Sequence, residues 1–289
     1  MNTKSYFRHI LLAGCVLHLC LFACKERIDI NTEASSPRLV VYGFITTDTT
    51  QHAIRITRST GYFVTTRPEA ISKATVSISY DNEVIKLNES SRIPGSYLTP
   101  LKFYGIPGKT YTLHISLDFN EDGEMEEYEA TSYLPFPAIL DSVAVTPFLL
   151  TNFLQVLTWG KLPEENNCNF NFHLFRNSNA INDYLKGFRI FQINKKFAAL
   201  RVFLLNPERE SENLLPGDTL TVQVESFTSE YATFIQNAQQ ELLGTVPLFS
   251  GPPANVETNI RCLSSGPKPE ISGFFTTYSK HRAFTVYDE

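Results

Sequence analysis

Apolar and polar residues alternate with a period of two along much of the chain, as in strands that bury one face. Thr75–Tyr80 and Tyr111–Leu117 alternate strictly, and Asp81-Asn82 separates two alternating runs as a hairpin turn would. Short runs of this kind predict an N-terminal β-sandwich over residues 38–136. The predicted strands are Arg38–Ile45, His52–Thr57, Ala74–Tyr80, Glu83–Asn88, Tyr111–Leu117 and Tyr128–Tyr133.

A proline-rich break separates this series from a second one. The two prolines of Leu134–Pro137 cannot both lie inside a sheet, because proline donates no ladder hydrogen bond. We therefore expect an all-β protein with a second sandwich over residues 137–289, both sandwiches being immunoglobulin/fibronectin-like or transthyretin-like. The predicted strands of the second are Ser142–Thr146, Phe153–Trp159, Phe170–Arg176, Phe188–Ile193, Ala199–Leu205, Thr219–Phe227, Ser272–Thr277 and Ala283–Tyr287.

One segment has helical periodicity instead. Its apolar residues recur at intervals of three and four, which predicts an amphipathic helix over residues 229–243. Thr228 or Ser229 can cap its start, and Gly244 suits the left-handed position after its end. The apolar stripe is typical of core packing. Residues 245–269 show no periodicity but contain apolar side chains and several prolines, which predicts an ordered loop packed on the second sandwich.

The N terminus has the features of a bacterial lipoprotein signal peptide. Lys4 and Arg8 precede the uncharged run Ile10–Phe22, which is shorter than the roughly 20 apolar residues that span a membrane as a helix. The run ends in Leu21–Cys24, which resembles a lipobox with its cysteine at position +1. We therefore predict cleavage before Cys24 and attachment of lipid to its sulfur.

Cleavage would remove residues 1–23 and leave residues 24–37 as a polar tether between the lipid and the fold. Lys25 follows the cysteine, in place of the Asp that retains many lipoproteins in the inner membrane. This favours the outer membrane, with either the periplasmic or the cell-surface side compatible. Loss of Lys4 and Arg8 changes the formal net charge from −5 to −7, which disfavours nucleic acid and anionic lipid as partners.

Besides the lipidated Cys24, two cysteines remain after cleavage, Cys168 and Cys262. In an oxidising compartment they either form one disulfide or remain as two buried thiols. A single pair in so long a chain is not a disulfide framework, so the fold must be held by its apolar cores.

The closest match to a ligand-binding motif is an acidic segment between two predicted strands. Asp118, Asn120, Asp122 and Glu129 supply oxygen donors at positions 1, 3, 5 and 12 of a calcium loop, and Gly123 stands at position 6. The flanking strands differ from the helix–loop–helix context of that motif. Two interpretations follow: a calcium site, or a solvated acidic hairpin that turns at Asp122-Gly123.

No catalytic motif occurs in the mature sequence. It contains neither Gly-x-Ser-x-Gly nor His-Glu-x-x-His, and its histidines are scattered. His114 and His173 lie inside predicted strands, where a hydrogen-bonded structural histidine is the usual case. We therefore predict no catalytic residues and no enzymatic activity. The alternative is a surface or periplasmic hydrolase with an unrecognised active site.

Several short motifs follow one another along nearly the whole mature chain. They are Cys24 with Ile28-Asp29, Pro37–Ile45, Ala74–Ile78, Gly95–Tyr97, Gly108–Leu113, Leu140–Ser142, Pro216–Val222, Ser229–Tyr231 and Gly251–Ile260. Most of these motifs are turns or strand starts. Their order, with the two asparagines of the last motif, resembles the lipoprotein family known as domain of unknown function 4249.

This resemblance implies a role beside a membrane transporter. Such proteins resemble accessory lipoproteins of TonB-dependent outer-membrane transporters, which implies a non-enzymatic binding or accessory protein in nutrient uptake. A small-molecule or polymer nutrient is a second candidate ligand. The family offers no catalytic residues to carry over. The loop 245–269 is the expected contact surface, with Pro252, Pro253, Asn255 and Asn259 as candidate binding residues.

Overall fold

The computed structural model describes residues 37–60, 67–149, 151–164, 168–181, 201–242, 256–265 and 269–288. Nearly all regular structure in these residues is β. The strands are β1 (Leu39–Thr46), β2 (Ala53–Arg58), β3 (Thr75–Tyr80), β4 (Glu83–Glu89), β5 (Ser96–Leu98), β6 (Thr110–Leu117), β7 (Glu126–Tyr133), β8 (Ile139–Pro147), β9 (Leu154–Lys161), β10 (Cys168–Arg176), β11 (Asn179–Ala180), β12 (Arg201–Leu205), β13 (Thr219–Thr228), β14 (Arg261–Cys262) and β15 (Ile271–Val286).

The first sandwich contains the strands of the N-terminal series. β4 pairs with β5 at its end and with β3 along its length, so the hydrogen-bonded order runs β15-β1-β2-β5-β4-β3-β6-β7-β14. Strict alternation in β6 buries Tyr111, Leu113, Ile115 and Leu117 and leaves the residues between them half-buried or exposed. These side chains meet those of β1, β2 and β3 in one core. Each large apolar side chain so buried contributes about 1.5–3 kcal/mol.

The second sandwich encloses a separate core. A three-stranded sheet in the order β12-β9-β8 covers strands β10 and β13 of the long sheet. The period-two pattern of Phe170, Phe172 and Leu174 places all three side chains in this core. The prediction of an all-β protein built from two β-sandwiches is therefore confirmed.

Strand β15 belongs to both sandwiches. Its first half, Ile271–Tyr278, pairs in parallel with β1, and its second half, Ser279–Val286, pairs antiparallel with β13. The sequence predicted two separate strands, but the structure has one strand of 16 residues. Lys280, His281 and Arg282, at the predicted break, continue the ladder with β13.

The continuous strand changes the domain description. A boundary at residue 137 assigns all of residues 137–289 to the second sandwich, whereas Ile260 and Phe275 lie in the core of the first. β14 also pairs with β7 of the first sandwich. Residues 37–289 form one compact unit, so the two sandwiches are not consecutive, independent segments of the chain.

The predicted helix is present as α1 (Ser229–Leu242), which agrees with the predicted bounds to within one residue at its end. The Tyr231 N–H donates to Thr228 Oγ1 at 3.4 Å, so Thr228 caps the start. Tyr231, Ala232 and Ile235 are buried against the sheet with Phe227 of β13. Among the described residues, no helix has the length and apolarity needed to cross a membrane.

The turn between β3 and β4 is also as predicted. Tyr80 pairs with Glu83, and Asp81 between them has φ of +49°, as a two-residue hairpin turn requires. Three short strands were missed, β5, β11 and β14, because two or three residues are too few to show alternation. The predicted strand Phe188–Ile193 lies outside the described residues.

Candidate functional site

A groove lies between helix α1, strand β7 and the segment 257–261. We call it the α1–β7 groove. Its volume is about 380 Å³. It forms because α1 packs across β15 while β7 runs beside the same strand, and β14 holds the segment against β7. Its walls and floor consist of Glu129, Ala130, Thr131, Glu230, Thr233, Phe234, Asn237, Glu257, Thr258, Asn259, Arg261 and Phe274.

The floor of the groove is aromatic. Phe274 of β15 is only 5 % exposed, and its ring centroid lies 4.7 Å from that of Phe234 on α1. Tyr231 packs against Phe274 at 5.7 Å and stacks on Tyr278 at 6.4 Å with nearly parallel planes. Because these rings pack against one another, the floor is a continuous apolar surface.

The walls of the groove carry more negative than positive charge. Glu230 and Glu257 are exposed, and the side chain of Glu129 is 37 % exposed. Arg261 is the only cationic side chain among the described residues that line the groove. Arg261 stands directly opposite Glu129 in the β14–β7 ladder, where opposite charges on one face attract. Three carboxylates, Glu129 on β7, Glu230 on α1 and Glu257 on the segment 257–261, therefore face one cation among the described residues that line the groove.

Asn259, a predicted binding residue, has a structural role at the edge of the groove. Its Nδ2 donates to the carbonyl oxygens of Phe275 at 2.7 Å and Thr131 at 3.1 Å, and its Oδ1 accepts from the Phe275 N–H at 3.0 Å. Its amide is thus engaged by the main chain of β7 and β15. The other predicted binding residues of this loop lie outside the described residues: Pro252, Pro253 and Asn255.

The acidic hairpin between β6 and β7 is organised by hydrogen bonds to its own main chain. The two carboxylate oxygens of Asp118 accept from the N–H groups of Asp122 at 3.2 Å and Gly123 at 3.0 Å. Gly123 has φ of +89°, which glycine adopts without strain. Asp122 in turn accepts from the Glu124 N–H at 2.9 Å.

The remaining predicted calcium ligands point elsewhere. Asn120 donates to Glu126 Oε1 at 2.6 Å, and Glu129 lies within β7 with its carboxylate 3.6 Å from His114. No group of three or more His, Cys, Asp or Glu side chains in the described residues is placed to hold a metal ion. Of the two interpretations, the structure supports the acidic hairpin and does not support a calcium site at Asp118, Asn120, Asp122 and Glu129.

His114 connects two side chains on neighbouring strands of the first sandwich. Ser79 Oγ lies 3.0 Å from His114 Nε2, and Glu129 Oε2 lies 3.6 Å from Nδ1. This is the connectivity of a serine–histidine–acid relay. The row lies on a half-exposed sheet face, and Ser79 is paired with Val84 on one side and Thr112 on the other. Its N–H is therefore used in the sheet and is not free to stabilise an oxyanion.

His173 is hydrogen-bonded within a buried polar row, as the sequence predicted. Its Nε2 lies 3.1 Å from Glu225 Oε2, and both side chains are at most 5 % exposed. Glu225 accepts from Gln223 at 2.9 Å, and Gln223 accepts from Arg282 Nε at 2.6 Å. The row ends at Asp48, 3.2 Å from Arg282.

Asp48 also accepts from Lys280 Nζ at 3.0 Å. Burial by itself would raise the pKa of Asp48, but Lys280 and Arg282 hold that pKa below its ordinary value. The charges of Asp48 and the two cations therefore join the end of β1 to the second half of β15.

Of the five cysteines, the structure describes Cys168 and Cys262, and the other three lie in the N-terminal segment outside the described residues. Cys24 lies outside the described residues, so its lipidation stays a prediction. Cys168 in β10 and Cys262 in β14 are half-buried thiols that form no disulfide with each other. The thiol interpretation is therefore the one that the structure supports.

Comparisons with known proteins identify a family but no function. The model of the family described as "Domain of unknown function (DUF4249)" matches residues 25–283. The search of curated proteins found no match. Among solved structures, the crystal structure of chicken CNTN1 FN1-FN3 domains is similar, with 15% identity over 67% of this chain and 60% of that chain and a TM-score of 0.29. The apo structure of Bacteroides uniformis beta-glucuronidase 3 has 12% identity, coverage of 65% and 23%, and a TM-score of 0.23. The chain spans less than two thirds of the length of either structure.

Proposed function

The chain belongs to the DUF4249 family, and from this premise we propose that it is an outer-membrane lipoprotein and a non-enzymatic binding or accessory protein. In this proposal, lipid at Cys24 anchors it beside a TonB-dependent transporter, where it serves nutrient uptake. The lipobox Leu21–Cys24 carries the proposal. The family match begins at residue 25, directly after the predicted lipidated cysteine, so the matched region lies within the predicted mature chain.

The anchor gives a physical reason for a membrane partner. A lipidated protein is confined to a surface, which raises the effective concentration of any partner in the same membrane. The tether 24–37 reaches at most about 3.5 Å per residue, so the first sandwich would stay near the bilayer. Even a weak interface would then remain occupied.

The α1–β7 groove supports a binding role. It combines a fixed aromatic floor with carboxylates and an amide on its walls, and ligand sites typically pair an apolar surface with a few convergent polar groups. It also adjoins the loop 245–269, the expected contact surface, through residues 257–261.

Crosslinking in intact cells tests the proposal, with the crosslinked partner identified after mild detergent extraction. We expect capture of an outer-membrane transport barrel by the wild-type protein. Cys24→Ala should abolish fatty-acid labelling and release the protein from the membrane fraction. Continued labelling without Cys24 would disprove the lipobox assignment, and the absence of any barrel among the captured proteins would disprove the partner.

A loop variant tests the contact surface. Deletion of residues 251–255 shortens the loop and leaves Asn259 in place, which is necessary because Asn259 binds the main chain of β15. We expect weaker association with the barrel and unchanged lipidation. A folded deletion variant that keeps full association would place the contact elsewhere.

The row Ser79–His114–Glu129 favours one second candidate, a surface or periplasmic hydrolase. In that reaction Ser79 Oγ would attack an acyl carbonyl while His114 Nε2 takes its proton. The bond to the leaving group would then break as His114 returns the proton to that group, and water would hydrolyse the acyl-serine. A fluorophosphonate probe tests this, with Ser77→Ala as the control because Ser77 lies on the same strand opposite His114. Labelling that Ser79→Ala removes and Ser77→Ala retains would establish the hydrolase. No labelling of the wild-type protein would leave the binding role.

A further inference from the structure

The charge balance of the α1–β7 groove indicates the kind of ligand it accepts. Arg261 lies opposite Glu129 in the β14–β7 ladder and is the one cation among the described residues that line the groove, against the three carboxylates of Glu129, Glu230 and Glu257. Neither Glu230 nor Glu257 has an ion-pair partner among the residues that the structure describes. Because one cation stands against three carboxylates in the described lining, a cation entering the groove would be attracted and an anion would be repelled.

The aromatic floor also favours a cationic ligand over an anionic one, by a different mechanism. The faces of phenylalanine rings carry partial negative charge and attract ammonium and guanidinium groups at distances up to about 6 Å. Phe234 and Phe274 both line the groove, with their ring centroids 4.7 Å apart. The apolar stem of an arginine or lysine side chain can also pack on such rings while its charged end reaches a carboxylate.

The amide of Asn237 adds a neutral polar group to this wall. Asn237 lies two turns after Glu230 on α1, so both side chains project from one side of the helix toward the groove. The amide can accept from a main-chain N–H or donate to a main-chain carbonyl. The lining thus offers partners for both the side chain and the backbone of a peptide.

We propose that the α1–β7 groove binds a basic peptide segment, with an arginine or lysine side chain between Glu230, Glu257 and the Phe234–Phe274 floor. The inference rests on the proposed binding role and names its ligand class. It requires neither the lipid at Cys24 nor a transport barrel.

A binding measurement on the full chain in non-ionic detergent tests the proposal. The probe is a fluorescently labelled peptide amide of alternating arginine and alanine, followed by anisotropy. We expect saturable binding that weakens as ionic strength rises, because screening reduces attraction between exposed charges. A peptide of alternating glutamate and alanine should not bind.

Matched charge variants separate the groove from the acidity of the whole protein. Glu230→Gln/Glu257→Gln and the control Glu83→Gln/Glu208→Gln change the net charge equally, and both control residues are exposed outside the groove. We expect the groove pair to weaken binding at least about fivefold and the control pair less than about twofold. Phe234→Leu, which keeps an apolar side chain, should weaken it about threefold through loss of the ring face.

Each contrary result overturns the proposal. Equal weakening by both charge pairs would mean non-specific attraction, and full binding by the groove pair would mean a site elsewhere. Displacement of the arginine peptide by a neutral oligosaccharide would assign the groove to sugars instead. Melting curves of all variants verify folding, since Glu230 lies in the first turn of α1, where a negative charge also stabilises the helix. Failure here with intact barrel crosslinking would leave the proposed function standing.

Discussion

The side chain of Asn259 pairs with the main chain of Phe275 as a strand residue would. Its Oδ1 accepts from the Phe275 N–H at 3.0 Å and its Nδ2 donates to the Phe275 carbonyl at 2.7 Å. This edge of β15 faces β7, whose Thr131 carbonyl accepts a third hydrogen bond from the same amide. One residue of the loop after α1 thus satisfies main-chain groups of two strands that do not form a ladder with each other.

Asn259→Ala should destabilise the protein by about 2–4 kcal/mol, because it leaves main-chain groups of Phe275 and Thr131 without partners. The free energy of unfolding from denaturant titration measures this loss. Asn88→Ala is the control, since Asn88 is an exposed strand residue. A similar loss in both variants would contradict the role assigned to Asn259.

Asn259→Asp refines the same prediction. At neutral pH the carboxylate cannot donate and faces the Thr131 and Phe275 carbonyls, so the loss should be at least as large as in Asn259→Ala. Protonation restores one donor. Because facing two carbonyl oxygens disfavours the carboxylate in the folded state, the variant should regain part of its stability, relative to wild type, as the pH falls from neutral toward the ordinary aspartate pKa near 4.

Gly273 permits the close approach of β15 to β1. Its φ is +98°, and a Cβ at this position would lie within 3 Å of the Val41 carbonyl. Gly217 has a similar φ of +92°, but no atom lies within 4 Å of its added Cβ. Gly217→Ala should cost about 1 kcal/mol from backbone strain alone.

Gly273→Ala should cost several kcal/mol more than Gly217→Ala, because the added methyl group also forces the paired strands apart. Denaturant midpoints of the two variants measure the difference. Equal midpoints would mean that β1 and β15 can move apart at Gly273 without a loss of stability. This result would contradict the role assigned to the close contact between the two strands.

Local pattern predicted much of this fold. Period-two alternation in β3 and β6 and helical spacing in α1 reflect burial of one face, and a few neighbouring residues are enough to show such a pattern. The continuity of β15 does not produce a local pattern of this kind. The charged side chains of Lys280 and Arg282 interrupt the apolar pattern in the middle of this strand. Both bind Asp48, more than 200 residues away in the chain, so the local pattern could not show that the strand continues.

The groove was harder to predict than the fold. Glu230, Phe234 and Asn237 do follow helical spacing, so one face of α1 could have been recognised as mixed acidic and aromatic. That face becomes a groove only where β7 and the segment 257–261 stand beside it. Asn259 was predicted as a binding residue, and that role stays a prediction. Its hydrogen bonds to the main chain of β7 and β15 depend on a tertiary contact that the sequence does not reveal.

The acidic hairpin should be stable without calcium. Asp118 already accepts two main-chain hydrogen bonds, so the turn needs no ion to hold it. We expect the same melting temperature in chelator and in millimolar Ca²⁺, since a ligand that does not bind cannot shift the transition. Asp118→Ala should lower stability by about 1 kcal/mol in both conditions. A calcium-dependent rise in melting temperature that Asp118→Ala or Asp122→Ala abolishes would restore the calcium interpretation.

Asp48 should make stability depend on pH in the acid range. Its pKa lies below the ordinary 3.8 because Lys280 and Arg282 outweigh the effect of burial, so the unfolded chain binds a proton more readily than the folded one. Its contribution is therefore complete above the unfolded pKa and is lost as the pH falls through the lower folded pKa. Asp48→Asn should destabilise the protein by about 1–2 kcal/mol at neutral pH, and this difference should shrink steadily below about pH 4.

Denaturant titrations of the Asp48→Asn variant and the wild type, from pH 7 to the acid limit of folding, measure this difference. Asp141→Asn is the control, since Asp141 is an exposed aspartate of β8. A constant difference between Asp48→Asn and wild type across this range would show that the carboxylate charge does not join β1 to β15.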